Sequence, residues 1–209
     1  MLALDQIDLS IEAGTVTAVI GPNGSGKSTL FALISGRISP TTGTISTSGE
    51  VAEVLQGTAI DKDLPLTVDD IVRIGRYPNR GLLKPIRNAD RDAIDDALNR
   101  VDLMDLRHRP ISELSGGQRQ RAFIAQGIAQ EAPLLILDEP ATGLDAPSQR
   151  HILDIIRAEA DAGRTVMFST HQLSEAAHAD TIIALACSCV CCAPADTAIS
   201  DPAVTELFA

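Results

Sequence analysis

Aromatic residues are scarce: among 209 residues there is no Trp, one Tyr and four Phe. That leaves no evident surface on which nucleic-acid bases could stack. Cations are outnumbered, 17 Lys and Arg against 28 Asp and Glu, for a formal net charge of −11. No basic stripe offsets this balance, so no nucleic-acid partner is expected. Docking onto a membrane protein stays open, because it needs no attraction to anionic lipid. No segment reaches the roughly 18 apolar residues of a spanning helix. The opening MLALDQIDLS has no basic n-region and carries Asp5 and Asp8, so a secretion signal is not expected and a cytoplasmic location is. The four cysteines all fall within CSCVCC, Cys187 to Cys192, which is not the spacing of a disulfide framework.

What is present suits one globular domain with a lobe: 44% of residues are hydrophobic and 22% charged. QIDLSI alternates in period two, and TVTAVI runs apolar into a glycine-rich stretch; both read as strands. STLFALISG reads as a helix with Leu30, Leu33 and Ile34 on one side and Gly36 as its stop. TGTISTSGEVAEVLQ has the punctuation of a strand-turn-strand unit ending at Gln56. Roughly residues 57 to 130 then look helical, with proline joints at Pro65, Pro78, Pro85 and Pro110. Within them Thr67 is expected to cap a helix with Asp70 three residues on, and Asn88 to cap another. From Pro133 the β/α alternation returns in LLILDEP, SQRHILDIIRAEADAG, TVMFST and LSEAAHAD. A parallel sheet wrapped by helices, with a helical lobe inserted, accounts for this order.

Three segments carry chemistry. GPNGSGKS, Gly21 to Ser28, lies between an apolar strand and a helix, the context in which a glycine-rich loop cradles phosphate. Its glycines let the backbone wrap so that N–H groups converge on phosphate oxygens, and the helix start adds a positive dipole end. Lys27 would reach the β and γ phosphates and the Ser28 hydroxyl would ligate magnesium. In LLILDEP, Asp138 at the tip of a buried strand suits magnesium, directly or through water, and Glu139 suits a general base for the attacking water. In LSGGQRQR, Ser115, Gly116 and Gly117 open a helix and form a second anion-binding terminus. One nucleotide does not need two such cradles from one chain, which points to a partner's nucleotide. On residues alone, Gln56 is an ordinary polar side chain at a strand end, and His171 is equally a satisfied buried histidine. His108, His151 and His178 lie on polar helical stretches and read as surface residues.

In combination these motifs resemble the ATP-binding subunits of ABC transporters over nearly the whole chain. GPNGSGKST matches the Walker A loop, LSGGQ the signature, LLILDEP the Walker B strand and TGLD (Thr142 to Asp145) the D-loop. Gln56 matches the Q-loop and His171 the switch histidine. The resemblance implies an α/β P-loop NTPase fold: a RecA-like core with a parallel sheet, a small antiparallel β lobe and an inserted α-helical lobe. One domain, 1–209, would divide into a nucleotide-binding core, 1–56 and 131–209, and a helical signature subdomain, 57–130. It further implies a head-to-tail dimer with ATP and Mg2+ as cofactors. Each ATP would sit on Gly21, Pro22, Asn23, Gly24, Ser25, Gly26, Lys27, Ser28 and Thr29 of one subunit and meet Ser115, Gly116, Gly117 and Gln118 of the other. Glu139 would activate water, His171 would contact the γ-phosphate, and Gln56, Ser28 and Asp138 would serve magnesium. Asp145 would communicate across the dimer. Permease subunits and an extracytoplasmic substrate-binding protein are the implied partners, with the ATPase peripheral on the inner face of the membrane.

The stretch TVDDIVRIGRYPNRGLLKPIRNADRDAIDDAL is similar to ATPases of metal-ion and iron-chelate importers, most of all the manganese and zinc type. Another importer, an exporter, or a soluble ABC ATPase acting on DNA or ribosomes are the alternatives; the acidic charge disfavours the last. Two features depart from the family pattern. No aromatic residue, which would stack on adenine, stands among the twenty residues before Gly21, and the first strand of the antiparallel lobe is not evident. Either the chain continues upstream, or adenine is held by apolar contacts alone. ALACSCVCCAPAD replaces a glycine-containing hairpin. On one flat strand Cys187, Cys189 and Cys191 would share a face with Cys192 opposite, so the cysteines are expected to be buried small hydrophobes, with a soft-metal or redox site as the alternative.

Overall fold

The computed structural model describes residues 4–55, 65–78 and 85–208. Six strands form one sheet: β1 (Val16–Ile20), β2 (Val51–Val54), β3 (Leu134–Leu137), β4 (Thr165–Thr170), β5 (Thr181–Leu185) and β6 (Cys189–Pro194). Their order is β2-β3-β4-β1-β5-β6. All pairings are parallel except β5 with β6, so the sheet ends in one antiparallel edge.

The sheet is covered on both faces, which is why its strands are near-continuous apolar runs. One face presents Val16, Ala18, Ile20, Leu135, Leu137, Val166, Phe168, Ile182 and Ala184 to the larger core. The other presents Val19, Ile136, Met167, Ile183 and Leu185 to Leu30 and Phe31 of α1 (Lys27–Ile34). Successive apolar residues of β1, β3, β4 and β5 go to opposite cores, the period-two rule at work on both sides.

Between β2 and β3 lie α2 (Val68–Ile74), α3 (Asn88–Arg100) and α4 (Gly116–Ile128), with two short 3-10 turns, Met104–Leu106 and Ile111–Glu113, between α3 and α4. The cap expected at Thr67 is present: its hydroxyl accepts from Asp70 N–H, and Asp70 Oδ2 accepts from Thr67 N–H at 2.9 Å. The α3 cap falls one residue earlier than expected, at Arg87, because Asp90 Oδ2 accepts the Arg87 N–H (2.8 Å) and so takes the N3 place. The C-terminal end of α4 is gripped twice. Arg76 donates to Ala129 O (2.5 Å) and pairs with Glu131 (2.6 Å), and Arg164 donates to Ile128 O (3.3 Å), cations placed where the helix dipole favours them. Buried Glu159 pairs with Arg100 of α3 (3.0 Å) and with Arg164 (2.9 Å), linking α3 to α5 (Ala146–Asp161). The remaining helices are α6 (Leu173–Ala176), α7 (Ala195–Ile199) and α8 (Pro202–Glu206).

Two expectations for the small antiparallel lobe do not hold among the described residues. QIDLSI forms no strand; its apolar members Ile7, Leu9 and Ile11, with Leu4, pack on the second core instead. The alternation there serves packing without ladder pairing. TGTISTSGEVAEVLQ yields one strand, β2, and residues 41–50 are exposed bends and irregular backbone. No helix among the described residues is long and apolar enough to cross a membrane.

Candidate functional site

The three central strands β3, β4 and β1 are neighbours and parallel, so their carboxyl ends open on one side, where ligands of open α/β sheets bind. After β1 the loop turns through Gly21, Gly24 and Gly26, all at positive φ (151°, 82° and 103°). At Gly21 a Cβ would lie 2.3 Å from Leu185 O, so only glycine fits. Lys27 is 6% exposed and its Nζ donates to Gly21 O (2.8 Å) and Pro22 O (3.1 Å). Burial pushes the ammonium below its ordinary pKa, while the carboxylates of Glu139 and Asp138 pull it back up. The start of α1 has no side-chain cap and no acidic residue in its first turn, and Ser25 Oγ is buried without a partner among the described residues. An uncapped helix start, a buried cation and an orphaned hydroxyl fit a bound polyphosphate.

Opposite the loop, Asp138 follows β3 and is 7% exposed. Its Oδ2 accepts from Ser28 Oγ (2.9 Å) and its Oδ1 from Ser169 Oγ (2.5 Å). One hydroxyl and one carboxylate facing each other suit magnesium, which takes few protein ligands and keeps water. Glu139 has φ +49°, and its side chain is largely buried. Its N–H donates to Ser169 Oγ (2.8 Å), its Oε2 accepts from Thr142 Oγ1 (3.1 Å), and His171 Nδ1 lies 3.9 Å from that same oxygen. His171 itself is exposed just past the end of β4. Thr170, buried beside it, is fixed by Glu175 Oε2 (2.5 Å) and accepts the Gln172 N–H (3.0 Å).

Lys27, Ser28, Asp138, Glu139 and His171 thus come together. The signature residues stand apart on α4. Ser115 caps the helix: Ser115 Oγ accepts from Gln118 N–H (3.2 Å), and Gln118 Oε1 accepts from Ser115 N–H (3.0 Å). Gly116 abuts Leu144, and at Gly117 a Cβ would lie 2.5 Å from Ser148 Oγ. Asp145 caps α5 through Ser148 N–H (3.3 Å). Gln56 lies outside the described residues. Ser169 and Thr142, which fasten the two carboxylates, were not assigned a contact with them from the sequence. The signal for Ser169 is weak: a buried polar residue next to Thr170 at the end of a strand whose middle is apolar.

The cysteine expectation is corrected in part. Cys187 is not on the strand; it is exposed in the β5–β6 turn at φ +62°, and Cys192 is exposed as well. Only Cys189 and Cys191 face inward, half-buried, and burial raises both thiols above their ordinary pKa. Among the described residues no three or more His, Cys, Asp or Glu side chains converge as a metal site. His151 pairs with Asp102 at the surface (3.1 Å), and His178 Nδ1 lies 3.1 Å from Ser174 O; neither joins the site.

A parallel α/β sheet with a glycine loop, a paired Asp-Glu and a histidine at the ends of adjacent strands defines a P-loop nucleotide-binding cassette that binds ATP. The sequence profile of the ABC transporter family matches residues 4–142, and the chain belongs to this family. It is 39% identical over 183 residues to a manganese transport system ATP-binding protein of Synechocystis sp., covering 83% of this chain and 70% of that one. It is 39% identical over 186 residues to a zinc uptake system ATP-binding protein of Listeria innocua, covering 82% and 71%. Among solved structures it resembles a metal-chelate type ABC transporter in an inward-facing conformation, with TM-score 0.91 and 31% identity over 98% of this chain and 82% of that one. A dimeric bacterial ABC transporter cassette matches with TM-score 0.78 and 25% identity over 92% and 90%.

Proposed function

We propose that this chain hydrolyses ATP as one half of a head-to-tail dimer and drives import of manganese, zinc or chelated iron through a membrane permease. The observation that carries the reading is the convergence of Lys27, Ser28, Asp138, Glu139 and His171 at the ends of β1, β3 and β4, while Gly116 and Gly117 pack on Leu144 and Ser148 and Ser115 is exposed. The loop N–H groups and Lys27 bind the phosphates. A magnesium ion, held by Ser28, Asp138 and Gln56, would supply charge for the β and γ oxygens. Glu139, held by Thr142, takes a proton from water at its carboxylate, and His171 orients the γ-phosphate.

Ser115, Gly116, Gly117 and Gln118 serve the partner's nucleotide, and Asp145 lies between the two sites. Residues 57–130 act as a helical signature subdomain on a core of 1–56 and 131–209, and the permease meets that subdomain on the inner face of the membrane. An extracytoplasmic binding protein delivers the cargo. The metal assignment rests on the names of the relatives, which transport manganese, zinc or chelated iron.

Glu139→Gln tests the chemistry. Phosphate release is expected to fall about 10²–10⁴-fold, the usual contribution of a general base, while ATP accumulates in a stable dimer on size exclusion. Unchanged turnover removes Glu139 from the role.

A further inference from the structure

We infer that Ser169 is a positioning residue that sets the magnesium ligand and the general base in register with one hydroxyl. This rests on the assignment of Asp138 and Glu139 above. Ser169 is fully buried on β4, beside β3, where Phe168 pairs with Leu137. Its Oγ has one proton, which it gives to Asp138 Oδ1 (2.5 Å), and it accepts the Glu139 N–H (2.8 Å) on a lone pair. Both contacts reach the ends of the same dipeptide from a different strand.

Their geometry separates two tasks. Fixing Oδ1 of Asp138 directs Oδ2 to Ser28 (2.9 Å), the pair proposed to hold magnesium. Fixing the Glu139 N–H holds that residue at φ +49°, a left-handed conformation unfavourable for a non-glycine residue. That conformation sends the Glu139 carboxylate toward Thr142 and His171. The Ser169 hydroxyl thus touches both carboxylate residues at once. Strand packing alone favours Val or Ile at a fully buried position, and the two contacts with Asp138 and Glu139 account for a serine here.

The experiment compares the full chain with Ser169→Ala, Ser169→Thr and Ser169→Cys. Binding of a fluorescent ATP analogue is titrated with Mg2+ and with chelator, and ATPase kcat and KM are measured against Mg2+. Ser169→Ala is expected to bind the analogue normally in chelator, to lose about 10–100-fold of the gain that Mg2+ confers, and to lose kcat by a similar factor with little change in KM. Ser169→Thr, which keeps the hydroxyl, restores both. Ser169→Cys, close in size with a weak donor, falls between them and serves if the alanine variant does not fold. Normal Mg2+ dependence and kcat in Ser169→Ala overturn the inference, as does a loss that threonine fails to rescue. Glu139→Gln run alongside separates the two ideas. If Glu139→Gln abolishes turnover and Ser169→Ala does not, only the positioning role is lost. If Glu139→Gln turns over normally, the catalytic assignment beneath it is lost.

Discussion

Cys187 touches the phosphate loop from outside. Its N–H donates to Ser25 O (2.9 Å), its Sγ lies 3.9 Å from Gly24 O, and two residues earlier Leu185 O closes on Gly21. The β5–β6 turn is thus the wall against which the glycine loop is folded. A bulky group on this exposed sulfur, 3.9 Å from Gly24 O, is expected to crowd the loop or the turn. Alkylation with a large maleimide is therefore expected to lower affinity for a fluorescent ATP analogue by roughly tenfold, equivalent to about 1.4 kcal/mol. The same reagent leaves affinity unchanged in Cys187→Ser, where exposed Cys192 is still labelled. Equal sensitivity of the two proteins rules out Cys187 as the point of contact. At this scale the sequence made the loop legible, because Gly21–Ser28 is contiguous and its spacing is its geometry. The contact of Ser169 has no such signal, since a hydrogen bond from one strand to the end of another leaves no local pattern; Thr142, three residues past Glu139 in a turn, is legible only as part of TGLD. The cysteines misled for a related reason: the turn, which takes Cys187 off the strand, is a property of the hairpin and not of alternation.

Elements with local signals were read well. Thr67 and Asp70 announced α2, and both halves of the capping box are present. The Thr67 hydroxyl, and then its backbone N–H, hold the Asp70 carboxyl below the ordinary carboxylate range. A depressed carboxylate contributes stability that is fully present above its unfolded pKa and is lost as pH falls through its folded pKa. Thr67→Ala is expected to destabilise the chain by about 1 kcal/mol at neutral pH in urea unfolding, within the 0.5–2 kcal/mol typical of a lost cap. The gap between variant and parent narrows in acid, once Asp70 is protonated in both. A constant gap across pH would mean the carboxylate contributes nothing through its charge. Elements without such signals were read less well. QIDLSI has the period of a strand, but a strand also needs a neighbour with free edge groups, and residues 5–11 use their apolar side chains only to cover the sheet. The parallel character of the sheet could be placed because buried apolar runs between helices imply it, though not the order of its strands. The extra bends of residues 41–50 could not, because threonine and glycine signal turns whether or not strands flank them.

At the scale of the whole molecule, the phosphate loop and the signature lie on different parts of the fold. The signature helix α4 is anchored at its far end by Arg76 and Arg164, and its near end packs on Leu144 and Ser148. Ser115, at that near end, is exposed, and its hydroxyl bonds within its own helix start. If it serves a second copy, blocking it should leave nucleotide binding by the monomer intact and abolish pairing. In a Glu139→Gln background, where ATP is expected to trap the dimer, Ser115→Arg supplies the block. The single-site affinity for a fluorescent ATP analogue should match the Glu139→Gln parent, because Lys27 and the loop are untouched. The ATP-dependent shift to dimer on light scattering should disappear. The added arginine and the lost cap cost the helix about 1 kcal/mol, too little to unfold α4 with its far end held by two cations. A variant that binds ATP weakly yet still dimerises would instead place Ser115 at the nucleotide of its own chain, and the two-cradle argument would fail.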